Sequence, residues 1–224
     1  MRVVTFDFWD TLVSDHHSTT RRLYEHCLAD YVEEPEEAFS RAFQLWYSTI
    51  KSGAACGPRS FASFALSPGS GPGQVRASVL GQFLDHYAQC VASGADIDVN
   101  PGVRTALSAV CARPEARAAV VTNASYVEGR SVRSMITRAG LAGQIAADAV
   151  FSSDELPWSK PDTRVFCHVA AALGVEPRHC LHVGDAPIMD VLGAARAGYN
   201  SLLFDVRRGI WSLLPDIVRH VAGT

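Results

Sequence analysis

Lysine is almost absent from this 224-residue sequence: Lys51 and Lys160 stand against 18 arginines. The formal charge is −3, so the basic footprint that a nucleic-acid partner requires is missing. No window approaches 18 consecutive apolar residues, which excludes a membrane-spanning helix. The opening MRVVTFDF carries no charged segment followed by an apolar h-region and a cleavage site, and a cytoplasmic protein is expected. Six cysteines (Cys27, Cys56, Cys90, Cys111, Cys167, Cys180) fall without a C-x-x-C pair or a metal-ligand spacing, and read as reduced, mostly buried thiols. What remains is ordinary for a globular protein, 48% hydrophobic and 19% charged, and long enough for one large core or a core with a smaller insertion. A small-molecule partner is the expectation.

The chain begins with a short β-biased apolar run, Val3, Val4 and Phe6, that carries Asp7 to the end of a buried strand. Ligands of parallel α/β sheets bind outside the carboxyl ends of the strands, so an acid there is a candidate nucleophile or metal ligand. By itself such an acid equally fits a turn or a helix cap.

After Leu12 and Val13 the pattern turns helical as far as about residue 98. A first helix, capped by Ser18 or Thr19, has Leu23, Cys27, Leu28, Tyr31 and Val32 on its apolar face. A second starts at Pro35, with Glu36 and Glu37 at the positive end of its dipole and Phe39, Phe43, Trp46 and Ile50 along one face; Lys51 falls in its last turn. Residues 67–73 read as a loop, and Val75, Val79, Phe83, Tyr87 and Val91 mark a further helix that stops near Gly94. From Asn100, read as the cap of a helix bearing Val103, Leu107 and Val110, strands and helices alternate. Strands are expected near 117–122, 147–152, 179–184 and 200–204, and helices near 126–139, 162–173, 187–197 and 209–221, closed by Gly140, Gly174 and Gly198. The expected fold is therefore α/β: a Rossmann-like, mostly parallel five-stranded sheet built from residues 1–14 and 99–224, interrupted by an all-helical insertion at 15–98.

Four stations follow at the ends of four strands: Asp7, then Thr122 and Asn123, then Lys160, then Gly184 and Asp185 with Asp190 close behind. Asp7, Asp185 and Asp190 in one crevice would repel one another unless a hard divalent cation such as Mg²⁺ lay among them. Such a site could hold a phosphate beside an anionic nucleophile, with Thr122 and Lys160 taking phosphate oxygens. Pro161 keeps Lys160 out of helical conformation, ahead of a helix that Asp162 can cap.

These stations resemble the four motifs of the haloacid dehalogenase-like (HAD) superfamily. The first is the run Asp7-Phe8-Trp9-Asp10-Thr11-Leu12, the second Val120-Val121-Thr122-Asn123, the third Ser159-Lys160-Pro161-Asp162, and the fourth His182-Val183-Gly184-Asp185 with Asp190. The resemblance implies an α-helical, C1-type cap for the insertion and Mg²⁺-dependent phosphoryl transfer through an aspartyl-phosphate on Asp7. It also implies a phosphate held by Thr122, Asn123 and Lys160, and a metal held by Asp7, the backbone carbonyl of Trp9, Asp185 and Asp190. The substrate would be a small phosphorylated metabolite.

One departure stands out. Phosphatases of the superfamily usually carry a second Asp two residues after the nucleophile, as the acid for the leaving group, and here that residue is Trp9. General acid–base help contributes about 10²–10⁴ in rate. A phosphatase for good leaving groups such as acyl phosphates needs no such acid; Asp10, His16, His17 and Glu155 are candidate substitutes. A 2-haloacid dehalogenase also lacks the second Asp, but that branch lacks the Gly-Asp acid of the fourth motif as well. A phosphonoacetaldehyde hydrolase-like enzyme would use a cap lysine, for which only Lys51 is present, although Lys51 equally serves as a cation at a helix C-terminus. A non-catalytic binding protein is a further reading. Substrate choice is expected from insertion side chains such as Trp46 and Tyr47, and Arg59 and Phe61 in the loop after the second helix; His182 reads as a packed strand residue.

Overall fold

The computed structural model describes residues 1–14, 19–51, 54, 56–67, 75–94 and 97–223. The strands are β1 (Arg2–Phe6), β2 (Val13–Ser14), β3 (Asp98–Val99), β4 (Ala116–Thr122), β5 (Val150–Ser152), β6 (Cys180–Gly184) and β7 (Asn200–Leu203). The helices are α1 (Thr19–Leu28), α2 (Pro35–Lys51), α3 (Pro58–Leu66), α4 (Ala77–Gly94), α5 (Val103–Cys111), α6 (Gly129–Arg138), α7 (Thr163–Ala172), α8 (Gly193–Arg196) and α9 (Leu214–Ala222).

Five strands form one sheet in the order β5-β4-β1-β6-β7, and all its pairings are parallel. β1 lies at its centre. Val3, Val4, Thr5 and Phe6 are fully buried, as expected for a strand covered on both faces. Because the first strand is central and β4 and β6 flank it, the ends of all three open into one crevice, where the order of connections reverses. This is the expected α/β architecture. Gly140, Gly174 and Gly198 adopt the left-handed conformation that closes a helix, with φ of 67°, 68° and 88°.

Local features depart from expectation in five places. Helix α3 stands where the sequence predicts a loop; it starts with Pro58 in the first turn and buries Phe61, Ala62 and Ala65, a short period that the preceding glycines obscure. The pair β2 and β3 forms a small antiparallel ribbon beneath the helical insertion, too short to register as alternation. Asn100 does not cap α5, whose N-cap is Gly102. Its side chain instead donates to the Thr11 carbonyl (3.0 Å) and accepts from the Ser14 hydroxyl (2.9 Å), tying the exit of the insertion to its entrance. The expected helix at 187–197 opens as a π-helical turn, Pro187–Leu192, before α8. The last expected helix begins with a 3₁₀ turn, Ile210–Leu213, ahead of α9.

The insertion packs around Tyr24, whose ring meets Phe39, Phe61, Phe83, Tyr87 and Tyr126 edge-on. Tyr126 follows β4, so this cluster joins the insertion to the sheet. The cysteines have no metal-ligand spacing in sequence, but the fold gathers two of them beside a histidine. Cys27 on α1 and His86 and Cys90 on α4 converge, their ligand atoms within 4.8 Å of one another. His86 and Cys90 stand one helical turn apart, while Cys27 arrives from another helix. Burial, followed by the neighbouring Cys90, pushes the Cys27 thiol up to about 12, so it packs as a neutral thiol at neutral pH.

Candidate active site

The four stations meet. Asp7 leaves the end of β1, its N–H donating to the Val183 carbonyl of β6 at 2.9 Å. Lys160 Nζ donates to Asp7 Oδ1 and to Asp190 Oδ1, both at 2.6 Å. Lys160 is buried, with only 2% of its surface exposed, and the two carboxylates hold its ammonium above the usual lysine range despite burial. Asp7 shows the reverse balance. Burial pushes its carboxyl up to about 7, opposed by Lys160 and reinforced by Asp190.

Asp190 is the fixed acid of the group. Its Oδ2 accepts from the Ala186 N–H (3.0 Å), and its Oδ1 faces His182 Nε2 (3.1 Å) as well as Lys160. Lys160 and His182 outweigh its burial and hold Asp190 well below the usual carboxylate range. His182 is the packed strand residue expected, fully buried. It also does more: burial lowers its pKa against the pull of Asp190, and its ring bridges Asp190 at Nε2 (3.1 Å) and the Thr5 hydroxyl at Nδ1 (2.8 Å). Neither Thr5 nor His182 is marked as an orienting residue by sequence, because a polar residue at a buried strand position carries no local sign of its partner.

The π-helical turn brings Asp190 against Gly184. A Cβ at Gly184 would overlap the Asp190 carboxyl carbon and Oδ2. Gly184→Ala is therefore expected to displace Asp190 and lower turnover by roughly 10²-fold, the scale of a 1 Å misplacement of a catalytic group. Steady-state kinetics with a crystal structure of the variant would check it.

Thr122 and Asn123 end β4. The Thr122 hydroxyl is buried and has no hydrogen-bond partner among the described residues, yet Thr122 lines the cavity over Asp7. A buried unpaired hydroxyl is costly and calls for a partner that the described residues do not supply. Asn123 is spent differently. Its Oδ1 accepts from the Lys160 N–H and its Nδ2 donates to the Lys160 carbonyl, each at 2.8 Å. The carboxamide thus fixes the backbone of Lys160 across 37 residues of sequence, while Asn123 still lines the cavity. Asp162 caps α7 as expected, accepting from the Arg164 N–H.

Ligand oxygens of Asp7, Asp185 and Asp190 lie within 4.8 Å of one another. Three hard carboxylate donors around one point suit Mg²⁺ in chemistry and charge. Asp185 faces solvent; partial desolvation, then the charges of Asp190 and Asp10, push it up to about 6, a sign of negative charge in want of a cation.

The cavity above these residues measures about 600 Å³ and reaches from Asp7, Trp9 and Lys160 to α2 of the insertion. Asp10 lines it and adopts φ of 57°, a left-handed conformation uncommon outside glycine. Glu155 is excluded as a substitute acid, since both its oxygens accept from Arg133 at 2.6 Å and it does not border the cavity. His16 and His17 lie outside the described residues. Trp46 and Tyr47 line the cavity as expected, whereas Phe61 is core and Arg59 exposed on α3. Lys51 is exposed, its ammonium over the Tyr47 ring at 4.5 Å rather than in the cavity lining.

Comparison with known proteins agrees with this geometry. A family model described as haloacid dehalogenase-like hydrolase matches residues 1–198. Two curated relatives align over shorter stretches. Glyceraldehyde 3-phosphate phosphatase of Methanopyrus kandleri is 38% identical over 60 residues, 27% of this chain and 25% of the relative. Phosphoserine phosphatase of Thermus thermophilus is 38% identical over 73 residues, 33% of this chain and 28% of the relative. The alignments thus span only about a quarter of either relative's length. Among solved structures, a predicted phosphoglycolate phosphatase from Haemophilus somnus superposes with a TM-score of 0.65 at 20% identity, covering 91% of this chain and 84% of that one. The 2-haloacid dehalogenase of Pseudomonas syringae gives 0.61 at 20% identity, covering 91% and 86%. At such identities the likeness is one of fold.

Proposed function

The chain belongs to the haloacid dehalogenase-like hydrolase family, and from that premise we propose that it is a phosphatase for a small phosphorylated metabolite, working through an aspartyl-phosphate on Asp7. The observation that carries the reading is one cavity containing a buried carboxylate bonded to a buried lysine, beside a buried threonine hydroxyl without a partner among the described residues. In this mechanism a phosphate dianion enters with two oxygens toward Thr122 Oγ1 and Lys160 Nζ. Lys160 opposes the burial of Asp7 and so favours the ionised carboxylate that attacks phosphorus, and the bond to the leaving oxygen breaks with its electron pair on that oxygen. Water then attacks the acyl phosphate, releasing inorganic phosphate and restoring the carboxylate. Asp7, Asp185, Asp190 and the Trp9 carbonyl would hold Mg²⁺, which offsets the charge shared by the acids and the phosphate. Thr5 and His182 orient Asp190, and Asn123 holds Lys160. Helices α1–α4 act as the cap, with α2 forming the far wall of the cavity.

The curated relatives named as phosphatases support this reading. The exposed position of Lys51 speaks against a Schiff-base mechanism. The clustered Asp185 and Asp190 speak for a metal site and against the dehalogenase branch. Since Trp9 cannot donate a proton, the enzyme favours leaving groups that need none.

Phosphate release from acetyl phosphate is expected with Mg²⁺ and to vanish on chelation, while ethyl phosphate is expected to turn over about 10²–10⁴ more slowly. Turnover that survives chelation would remove the metal from the proposal. Equal rates for the two substrates would mean that a side chain in the cavity replaces the missing acid, with Asp10 the first to substitute.

A further inference from the structure

The wall of the cavity that faces the acids is an aromatic shelf. Phe39, Phe43 and Tyr47 stand one helical turn apart on α2, and their rings run nearly parallel: Phe39 and Phe43 at 6.3 Å and 18°, Phe43 and Tyr47 at 6.5 Å and 5°. Aromatic residues on a helix facing a domain core are normally covered. Here Phe43 is 41% exposed and Tyr47 44% exposed, and both line the same cavity as Asp7 and Trp9. Phe39 is buried behind them, so the exposed surface is the pair Phe43 and Tyr47, two nearly parallel rings in the cavity of a candidate nucleophile that offer aromatic contact to a flat ligand.

A second observation bears on the same ligand from the opposite end. Trp9 stands two residues after Asp7, where phosphatases of the family usually carry the acid for the leaving group, so the bond that breaks must leave its electron pair on an oxygen that carries charge well. Phenols, with a pKa of about 10 as in tyrosine, do so far better than water or simple alcohols, at about 15.7 for water. The shelf selects a flat ring, and the missing acid selects an acidic leaving oxygen.

We propose that the substrate is an aryl phosphate, its ring against Phe43 and Tyr47 and its phosphoryl group over Asp7. This rests on the phosphatase reading above and deepens it. The Asp7 Oδ–P bond forms as the bond between phosphorus and the ring oxygen breaks. The pair leaves as phenolate, which takes a proton from solvent, and water then frees phosphate from Asp7. Arg21, its guanidinium 4.8 Å above the Phe39 ring and paired with Glu25 at 2.6 Å, borders the far end of the shelf, where a polar ring substituent can lie.

The test uses the full chain with Mg²⁺ and compares phenyl, ethyl and acetyl phosphate. Phenyl phosphate is expected to exceed ethyl phosphate in kcat/KM by at least about 10²-fold. Phe43→Ala and Tyr47→Leu are each expected to lower the ratio of phenyl to acetyl phosphate kcat/KM by about 3- to 10-fold, the scale of one aromatic contact, and Tyr47→Phe to retain it. On the unmodified protein, phenylphosphonate is expected to inhibit acetyl phosphate turnover with a Ki roughly tenfold below that of methylphosphonate. Equal inhibition constants, or a ratio unchanged in both shelf variants, would overturn the aryl assignment while leaving the phosphatase reading in place. Failure to release phosphate from any of the three would overturn the phosphatase reading itself.

Discussion

Asp7→Asn is expected to cut phosphate release from acetyl phosphate by roughly 10⁴–10⁶-fold, the scale of losing a covalent nucleophile, and at the same time to make the metal-free protein more stable near pH 8. The first effect follows from chemistry, because an amide oxygen does not form an acyl phosphate that water can release. The second follows from electrostatics. Folding raises the Asp7 carboxyl from an ordinary 3.8 to about 7, chiefly through burial. The folded protein therefore holds a proton that the unfolded chain has lost, and this contribution to stability is present below pH 4 and disappears as pH rises through about 7. Asparagine imitates the protonated acid at every pH. In chelator, denaturant titrations should show the variant more stable than the parent by on the order of 2 kcal/mol at pH 8, with the gap closing toward pH 4. Retained turnover would remove Asp7 as nucleophile, and a pH-independent gap would mean that packing, rather than charge, limits stability there.

Lys160→Met is expected to be the most destabilising change in the crevice. Methionine fills much of the same volume, so the loss is electrical: Asp7 and Asp190, each 2.6 Å from the ammonium, would face each other with no counter-charge. Breaking a buried ion pair from one side costs about 3–5 kcal/mol. The raised lysine pKa sets the window. A base whose pKa rises on folding contributes fully below its unfolded value of 10.5 and loses the contribution only as pH climbs through the higher folded value, so Lys160 contributes across the whole neutral range. The penalty in the variant should shrink on acidification through pH 7 and below, as Asp7 takes up a proton. Urea titrations of Lys160→Met at pH 8 and pH 5 would check this, with the larger loss expected at pH 8. Turnover should fall by about 10³-fold or more, since in the proposed mechanism Lys160 also holds the phosphate, and the double variant Asp7→Asn with Lys160→Met should recover part of the stability but none of the activity. A loss equal at both pH values would refer the destabilisation to packing.

Asp7 and Lys160 are legible in the amino-acid sequence, and so are their neighbours Thr122, Asp185 and Asp190, because each terminates or follows a short apolar run that reads as a strand in a parallel sheet. The glycines that close helices are legible for a related reason: a backbone conformation that residues with a side chain resist leaves a mark at one position. Helix α3 is not, since nine residues after a glycine-bearing connection give too few turns for a period to emerge. Nor is the role of Asn100, which resembles a cap by type and position but bonds to segments more than 80 residues away.

The sequence by itself determined the alternation of elements, the parallel sheet they form and the residue types gathered at the strand ends, all of which rest on local periodicity and on chemistry that one position can declare. Only the tertiary structure decided that the Asn123 carboxamide clamps Lys160, that Thr5 and His182 hold Asp190, that Glu155 belongs to Arg133, and that the exposed rings Phe43 and Tyr47 of α2 line the cavity of the acids. These pairings join residues from 8 to 177 positions apart, with no common interval. A polar side chain's hydrogen-bond capacity is fixed by its type, but its partner is fixed by which elements fold against it, and no spacing along the chain encodes that choice.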